Sequence, residues 1–399
     1  MSLPSYNQAL DSALSIAQKI SEVEKVLLEL SFGRFLAKDI VADRDLPPYN
    51  RSQMDGYAVV ASEVKKGGTM KVSGNVPAGT NFDSTVESNT CITIATGAPV
   101  PDCFDTVVQH ELTDNGSLQV TFHCSDIKKG KSIHPRGSDA KVGDVLIAKH
   151  TTLAPQHIGI AASVGVHEVE VLSKPRVVVI SSGDEVVPID TQPLPYQIRN
   201  GNSPMISAAL TSMGCEVVET IHVPDSTDAT NEALINVLND KVDLVVTVGG
   251  ISAGKRDFFP DAFLNAGVEL VVKGAKIQPG KPVIVGKHEN AVILGLPGNP
   301  VSALACCTIF GWPIVRALQG ITPDLPWQEV LLTTEVKPNP HRHAFRPCKF
   351  VDGRVAVPSW QGSGDLSHTS TTQGLVQLPS SNTVIQSGSQ VAYLAWPWQ

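Results

Sequence analysis

The sequence predicts a multidomain α/β protein whose central domain is a doubly wound α/β fold flanked by smaller β-rich parts. Two observations support this prediction. Between about residues 175 and 323, short apolar runs alternate with segments of helical periodicity, which is the pattern of a parallel sheet covered by helices on both faces. Before and after this region, short β-prone runs are separated by Gly, Pro, Asn and Asp, which is typical of small β-rich domains.

The N-terminal part is predicted to be helical over residues 5–40. Ser21 followed by Glu24 fits a capping box, and apolar residues then recur at helical spacing. The pair Pro47–Pro48 ends the helix and starts extended chain. Short strands such as "TMKVSGNV", "TCITIATG" and "DTVVQHE" follow, and a short helix after Pro155 precedes one more strand. We therefore expect a small helical and mixed domain (1–45 plus 141–172) and an inserted β-rich domain (46–140).

The central domain is predicted over residues 173–323. Its strands are expected in "RVVVISSGDE", "CEVVETIHV" and "VDLVVTVGG", and its helices in "NSPMISAALTSMG" and "ATNEALINVLND". Residues 324–399 return to short strands and turns and are predicted to form a C-terminal β-domain. Ligands of such parallel sheets bind at the carboxyl ends of the strands, so we look for chemistry there.

Composition excludes several classes of protein. Lys and Arg total 31 against 39 for Asp and Glu, a net charge of −8, which argues against nucleic-acid binding. The seven cysteines are scattered and without a C-x-x-C pair, which indicates reduced thiols in a cytoplasmic protein. The N-terminus lacks the features of a signal peptide, and no uninterrupted apolar stretch approaches 18 residues, so we expect neither secretion nor membrane insertion.

Three acidic residues follow separate predicted strands: Glu185, Asp225 and Asp257. Carboxylates that converge at one edge of a sheet suit Mg²⁺, although each acid alone could also be a helix cap. Asp257 ends "GGISAGKRD", whose G-x-x-x-x-G-K spacing matches a phosphate-binding P-loop. Arg256 stands where a P-loop needs Ser or Thr. Two interpretations of the motif therefore stay open: a triphosphate-binding loop without its metal-binding hydroxyl, and a different kind of anion site.

A basic cluster follows, in "VVKGAKIQPGKPVIVG". Lys273, Lys276 and Lys281 lie close in sequence beside a Pro-Gly turn that can aim backbone N–H groups at an anion, although a solvated turn between strands has the same pattern. Next, an apolar strand runs into Pro297–Asn299 and a helix of small residues. A strand, turn and helix in this order can present backbone N–H groups to an anion. The histidines, including His341 and His343, show no metal-binding spacing.

Six motifs in a fixed order resemble the MoeA family of bacterial molybdopterin molybdenumtransferases and the similar E domain of gephyrin. They are "LPPYNRSQMDGYAV", "ATGAPVP", "SSGDEVVP", "VGGISAGKRDF", "QPGKPVIVG" and "LPGNPVSA". The resemblance covers nearly the whole chain. It implies an elongated homodimer of four-domain subunits whose central domain is similar to molybdopterin adenylyltransferase. It also implies the activity: insertion of molybdate into adenylylated molybdopterin with release of AMP, assisted by Mg²⁺. A transient contact with a molybdopterin adenylyltransferase is expected.

The resemblance also implies roles for individual residues. The expected catalytic residues are Asp55, Thr96, Asp139, Glu185, Asp225 and Asp257. Of these, Glu185, Asp225 and Asp257 are the expected metal ligands. The residues expected to bind adenylylated pterin or molybdate are Gly249, Gly250, Ser252, Gly254, Lys273, Lys276, Lys281, Pro297, Gly298, Asn299, Arg346 and Ser363. Asp55 is expected to reach the site from the β-rich domain of the other subunit.

The chain departs from the family pattern at Gln278, where Lys is usual, and at Phe258, where Tyr is common. Gln278 removes one cation from the expected oxyanion pocket, with Lys276 two residues earlier. Three alternatives therefore stay open: a P-loop phosphotransferase, a non-catalytic scaffold of the same fold, and an enzyme for a different metal or oxyanion.

Overall fold

The structure is a computed structural model that describes residues 2–82, 85–125, 127–252, 257–289 and 291–399. The chain forms two compact units. Unit 1 consists of Met1–Glu24 and Leu172–Gln399, and unit 2 consists of Lys25–Val171. The four predicted domains are a finer division than these two units, and their boundaries stay predictions.

A six-stranded sheet forms the centre of unit 1. Its strands lie in the order Glu216–Val223, Arg176–Ser182, Leu244–Val248, Ala291–Leu296, Ile284–His288 and Glu269–Lys273. The first four are parallel and the last two are antiparallel to their neighbours. The three strands predicted from the sequence are parallel, and the last two strands add an antiparallel edge. Only two residues separate Ile284–His288 from Ala291–Leu296, which suffices for a hairpin but not for a parallel crossover.

Helices cover both faces of this sheet, as predicted. They are Tyr6–Ser15, Asn202–Ser212, Thr227–Asn239, Phe259–Asn265, Pro300–Cys306 and Trp312–Leu318, with a π-helical turn at Cys307–Gly311 between the last two. Alternate strand residues point to opposite faces. Val177 and Val179 accordingly join the core that contains Ile206 and Ile309, while Val178 joins the core on the other face.

The apolar stretch Pro300–Leu318 is long enough to cross a membrane by length and composition, with a mean hydropathy of 1.6. In the structure, 83% of that window is buried inside the protein, as in the core helix of a globular domain.

The predicted helix over residues 5–40 is wrong beyond its first turns. The helix covers only Tyr6–Ser15, and its capping box is formed by Ser5 and Gln8 rather than by Ser21 and Glu24. Val23–Leu27 is instead a strand that pairs with Glu168–Leu172. Strand pairing with a segment about 145 residues away overrides a local helical pattern, because it satisfies the same backbone groups.

Unit 2 is rich in β-structure. Its five-stranded sheet has the order Thr106–Gln109, Gly56–Val59, Thr90–Ile94, Thr69–Val76 and Gln119–Thr121, and includes the strands predicted from the sequence. Two-stranded pairs join Ile40–Val41 to Val145–Ile147 and Arg51–Ser52 to Ile133–His134. The predicted helix after Pro155 is Pro155–Ser163. Short 3₁₀ turns occupy Leu28–Leu30, Ala61–Glu63 and His110–Leu112.

The C-terminal part of unit 1 is a second six-stranded sheet. Its order is Ile277–Gln278, His343–Val351, Arg354–Ala356, Gln328–Leu332, Gln390–Ala395 and Gly374–Leu378. His343–Val351 also pairs with Gly374–Leu378, which closes the sheet towards a barrel. A 3₁₀ turn covers Ser367–Thr371, and Val186–Val187 pairs with Ile198–Arg199 elsewhere in unit 1. The short strand Ile277–Gln278 is therefore an edge of the C-terminal sheet, although it follows the central sheet in sequence.

Candidate active site

The strand-end cleft is a cavity of about 760 Å³ at the carboxyl ends of the central sheet. Its walls include all three of the predicted strand-end acids, Glu185, Asp225 and Asp257. Glu185 and Asp225 follow the adjacent strands Arg176–Ser182 and Glu216–Val223, and Asp257 precedes the helix Phe259–Asn265. The fold thus brings together carboxylates from three separate loops, because the parallel strands end at one edge of the sheet.

Glycines allow two loops to approach at the floor of the cleft. Gly249 and Gly250 have φ of +90° and +60°, and a Cβ on Gly250 would lie 2.8 Å from Ser182 Oγ. A Cβ on Gly298 would lie 3.4 Å from Gly249 Cα, so the two turns nearly touch. A side chain at either turn would fill this approach. Ser252 also lines the cleft, whereas the predicted Gly254 and the neighbouring Lys255 lie outside the described residues.

The predicted turn Pro297–Asn299 also lines the cleft. Asn202 Nδ2 donates a hydrogen bond to the Gly298 carbonyl at 2.7 Å, and Asn299 Nδ2 donates to Ser363 Oγ at 2.9 Å. Ser363, predicted to bind molybdate, is therefore tied to the wall of the strand-end cleft through Asn299.

The described side chains that line the cleft carry more negative than positive charge. Its described lining carries three carboxylates and one guanidinium, that of Arg199. Within the described ranges, no group of three His, Cys, Asp or Glu residues is placed to hold a metal ion. Mg²⁺ usually takes one or two carboxylates and completes its shell with water and phosphate oxygens. The acids therefore fit a cation that is shared with a phosphate-bearing substrate better than a closed protein site.

A second cavity, the Arg346 pocket, lies in the C-terminal sheet and measures about 560 Å³. It is lined by Gln278, Asn339, Arg346 and Trp360, among others. Arg346 Nη2 donates to the Lys337 carbonyl at 3.2 Å. Arg346 Nε is buried and has no hydrogen-bond partner among the described residues, and burial lowers the pKa of the guanidinium. An unpartnered buried cationic N–H is costly unless an acceptor reaches it, so this pocket fits an anion.

The hydrogen bonds around Gln278 define which of its amide atoms is available. The backbone N–H groups of His341 and Arg342 both donate to Asn339 Oδ1. Asn339 Nδ2 therefore donates to Gln278 Oε1, at 2.9 Å. Among the described residues, no hydrogen bond is given for Gln278 Nε2, whose two hydrogens are donors at the end of this chain of amides. Gln278 thus supplies a neutral donor to this pocket.

The loop Trp360–Leu366 connects the two cavities. Trp360 lines the Arg346 pocket, while Gly364 and Leu366 line the strand-end cleft. Four residues of chain span at most about 15 Å, so the cavities are close neighbours. Ser367 Oγ and the Gln361 N–H both donate to the carboxylate of Asp365, and these bonds lower its pKa. Asp365 therefore stabilises the loop between the cavities.

The three predicted lysines do not gather at either cavity. Lys273, Lys276 and Lys281 are all exposed, and none is among the described residues that line the cleft or the pocket. Lys276 is held by its backbone, whose N–H donates to the Pro4 carbonyl and whose carbonyl accepts from His343. Their expected part in binding molybdate stays a prediction. The structure supports this role better for Arg346, which lines the pocket, than for the three lysines.

The remaining predicted residues lie in unit 2. The Thr96 N–H donates to Asp55 Oδ1 at 2.8 Å, so these two are neighbours. Asp139 Oδ1 lies 2.7 Å from His134 Nε2, and His134 Nδ1 lies 3.1 Å from Arg51 Nη2. Asp55 and Arg51 belong to the same short segment, so unit 2 groups its three predicted residues around residues 51–55.

Sequence reasoning missed several polar residues of the strand-end cleft, namely Arg199, Asn200 and Asn202. The run "IRNGNS" before a helical segment was the available signal, because polar residues at a helix start commonly cap it or bind a ligand. Asn200 Oδ1 does cap that helix by accepting from the Ser203 N–H at 3.0 Å.

Comparison with known proteins gives a consistent picture. Residues 4–165 match the family described as MoeA N-terminal region (domain I and II), residues 178–317 the "probable molybdopterin binding domain", and residues 329–396 the MoeA C-terminal region (domain IV). A molybdopterin molybdenumtransferase of Synechocystis is 31% identical over 92% of this chain and 93% of its own. That of Haemophilus influenzae is 35% identical over 75% of this chain and 74% of its own.

Solved structures agree with the sequence comparisons. The crystal structure of a molybdopterin biosynthesis MoeA protein from Pyrococcus horikoshii superposes with a TM-score of 0.83 at 28% identity, and the match covers 99% of both chains. The predicted multidomain fold is thereby confirmed. With three consecutive regional matches and full-length relatives above 30% identity, this chain belongs to the MoeA family of molybdopterin molybdenumtransferases.

Proposed function

We propose that this protein transfers molybdenum from molybdate to adenylylated molybdopterin and releases AMP. The observation that carries the proposal is the pairing of two cavities through one loop. The strand-end cleft, with its acids and glycine turns, fits a phosphate-bearing substrate, and the adjoining Arg346 pocket fits a small oxyanion. A reaction between a pterin diphosphate and molybdate needs both sites side by side, because the two anions repel each other in solution.

The chain's residues would have separate tasks in this reaction. The Gly249–Gly250 and Pro297–Asn299 turns hold the adenylylated pterin at the strand ends, and Arg346 with the Gln278 amide holds molybdate through N–H donors. Water cleaves the phosphoanhydride, which releases AMP and leaves the terminal phosphate on the pterin. The two dithiolene sulfurs of the pterin replace two oxygen ligands of molybdenum, and these oxygens leave as water with the thiol protons and protons from solvent. Ser363 and the Asp365-stabilised loop keep the two cavities in a constant relation.

Asp225 and Asp257, with Glu185 as the alternative second ligand, would hold Mg²⁺ together with substrate phosphate. The fit rests on the hard oxygen donors of the cleft and on its excess of carboxylates over cations. When bound, this ion neutralises charge on the phosphates and on the departing AMP.

We infer a homodimer in which Asp55, Thr96 and Asp139 of one subunit serve the cleft of the other. Support comes from family membership: these three residues belong to unit 2 and to the match with the MoeA N-terminal region, whereas the acids belong to unit 1. The four domain boundaries, the cytoplasmic location and a transient contact with a molybdopterin adenylyltransferase are proposed on the same family basis.

The test is to incubate the pure protein with adenylylated molybdopterin, Mg²⁺ and molybdate, and to follow AMP release. We expect release that depends on molybdate and Mg²⁺ and is not supported by sulfate. Binding of the pterin without AMP release would favour the scaffold alternative. Hydrolysis of ATP in the absence of pterin would favour the P-loop alternative. Release that prefers tungstate over molybdate would favour a different oxyanion.

A further inference from the structure

In unit 2, the side chains of Arg51, His134 and Asp139 are linked in a row. The sequence predicted a role only for Asp139. Arg51 and His134 are directly opposite each other in the short antiparallel pair Arg51–Ser52 with Ile133–His134. Arg51 Nη2 lies 3.1 Å from His134 Nδ1, and His134 Nε2 lies 2.7 Å from Asp139 Oδ1. Both contacts are within hydrogen-bond distance.

The chemistry of arginine determines the tautomer of His134. A guanidinium has only donors, so His134 Nδ1 can pair with Arg51 only as an acceptor. The proton of the neutral ring must then be on Nε2, where it is donated to Asp139. A proton on Nδ1 would place two donors face to face and leave two acceptors opposed at Asp139.

The different exposure of His134 and Asp139 indicates that His134 holds the Asp139 carboxylate in place. The His134 side chain is 25% exposed, whereas that of Asp139 is 53% exposed. An exposed carboxylate samples several rotamers unless a neighbour restrains it. The Asp139 backbone is fixed as well, because its N–H donates to the Leu46 carbonyl. One carboxylate oxygen is thus held by His134, which leaves the other for a ligand.

We propose that His134, held by Arg51 as the neutral Nε2–H tautomer, is the positioning residue for the Asp139 carboxylate. The proposal rests on the proposed function only for the statement that Asp139 takes part in the reaction. His134 does not touch the reacting atoms and acts through Asp139.

The first test is spectroscopic and needs no substrate. In full-length protein labelled with ¹⁵N-histidine, long-range ¹H–¹⁵N spectra distinguish a ring protonated at Nε2 from one protonated at Nδ1. We expect the Nε2–H form for His134, assigned with His134→Gln, and its loss in Arg51→Met. A dominant Nδ1–H form or an imidazolium at neutral pH would overturn the inference.

The second test is a double-mutant cycle on AMP release. His134→Ala should lower kcat/KM by roughly tenfold, the lower end for a hydrogen bond to a charged group. In an Asp139→Ala background the same change should have almost no further effect. His134→Gln, which keeps an amide donor near the place of Nε2, should recover most of the rate. His123→Ala, an exposed histidine of the same unit, serves as the matched control and should leave the rate unchanged.

The outcomes separate this inference from the proposed function. Full additivity of His134→Ala with an impaired Asp139→Ala would overturn the positioning role and leave the role of Asp139 intact. A wild-type rate for Asp139→Ala would refute the proposed role of Asp139 and with it the positioning role, whatever tautomer the spectra give. Thermal unfolding of each variant checks that the rate losses do not come from a disrupted unit.

Discussion

Replacing Arg346 should separate the binding of molybdate from the stability of the C-terminal sheet. Arg346 lies on His343–Val351 with its Nε buried and unpartnered among the described residues, while Nη2 donates to the Lys337 carbonyl. Arg346→Met keeps an unbranched apolar stem and removes every donor. This substitution has two opposite effects on the free energy of unfolding. It removes the hydrogen bond to Lys337, and it also removes a buried N–H that has no acceptor among the described residues.

The two contributions to stability nearly cancel. Leaving a buried donor unsatisfied costs roughly 1–3 kcal/mol, and about 1 kcal/mol is appropriate here because the side chain is half-buried. The hydrogen bond to Lys337 contributes about 1 kcal/mol in return, and that exposed carbonyl can turn to water. Without molybdate, the free energy of unfolding of Arg346→Met should therefore stay within about 1 kcal/mol of the wild-type value.

The binding of molybdate should change much more. Hydrogen bonds from a charged donor contribute about 1.5–3 kcal/mol, so the affinity should fall roughly tenfold to more than a hundredfold. At a molybdate concentration one hundred times the wild-type Kd, wild type should gain about 2.7 kcal/mol of stability. At the same concentration the variant should gain only about 1.4 kcal/mol after a tenfold loss of affinity, or about 0.4 kcal/mol after a hundredfold loss. Arg346→Lys should be intermediate, since it keeps the charge but loses the planar fork.

The assay is thermal unfolding with and without molybdate, combined with equilibrium dialysis. Sulfate controls for general salt effects, and Arg354→Met, at an exposed position on the adjacent strand Arg354–Ala356, controls for the loss of one cation from the sheet. An unchanged molybdate affinity in Arg346→Met would refute the assignment of the pocket. A loss of stability above about 3 kcal/mol without molybdate would show instead that Arg346 is structural.

Four further predictions address the remaining parts of the site. Asp257→Asn should lower AMP release by roughly 10²-fold, about 3 kcal/mol of electrostatic stabilisation, while the thermal midpoint stays the same; an unchanged rate at saturating Mg²⁺ contradicts its role. Mixing Asp55→Ala with Asp257→Ala should restore part of the activity through hybrid dimers, and no recovery after confirmed subunit exchange would place the site within one chain. Gln278→Lys should lower the molybdate concentration for half-maximal AMP release about fivefold, because it adds a charge to a neutral donor position; a flat or weaker response would mean that the exposed Lys276 already supplies the cation. Hydrogen bonds lower the pKa of Asp365, so its contribution to stability is present above the unfolded pKa and is lost as pH falls through the lower folded value. Wild type should therefore be more stable than Asp365→Asn at neutral pH, and this difference, measured by urea unfolding, should shrink on acidification.

Local sequence patterns were sufficient wherever one element determines its own structure. The run Leu244–Val248 is apolar and β-branched, and it is a buried central strand. Asn202–Ser212 and Thr227–Asn239 show the expected helical pattern and are helices. Glu185, Asp225 and Asp257 could be expected at one rim, because parallel strands bring their carboxyl ends together whatever their order in the sheet.

Local patterns failed where a distant segment competes for the same backbone groups. Val23–Leu27 carries apolar residues at a spacing that suits a helix, yet it pairs as a strand with Glu168–Leu172. Ile284–His288 runs antiparallel to Ala291–Leu296, because its short connection forces a hairpin. Such choices depend on the partner that is available in the fold, which no window of sequence contains.

The sequence by itself therefore determined the class of fold, the family and the acids at the strand ends, since each of these follows from short-range periodicity or from ordered motifs. Only the tertiary structure decided which polar atoms meet. Gln278 and Arg346, 68 positions apart, share a pocket because Ile277–Gln278 leaves the central sheet and pairs with His343–Val351. Arg51 sets the tautomer of His134 because two short strands place them opposite each other. Hydrogen bonds act over about 3 Å, so their partners are known only when the chain has brought them within that distance.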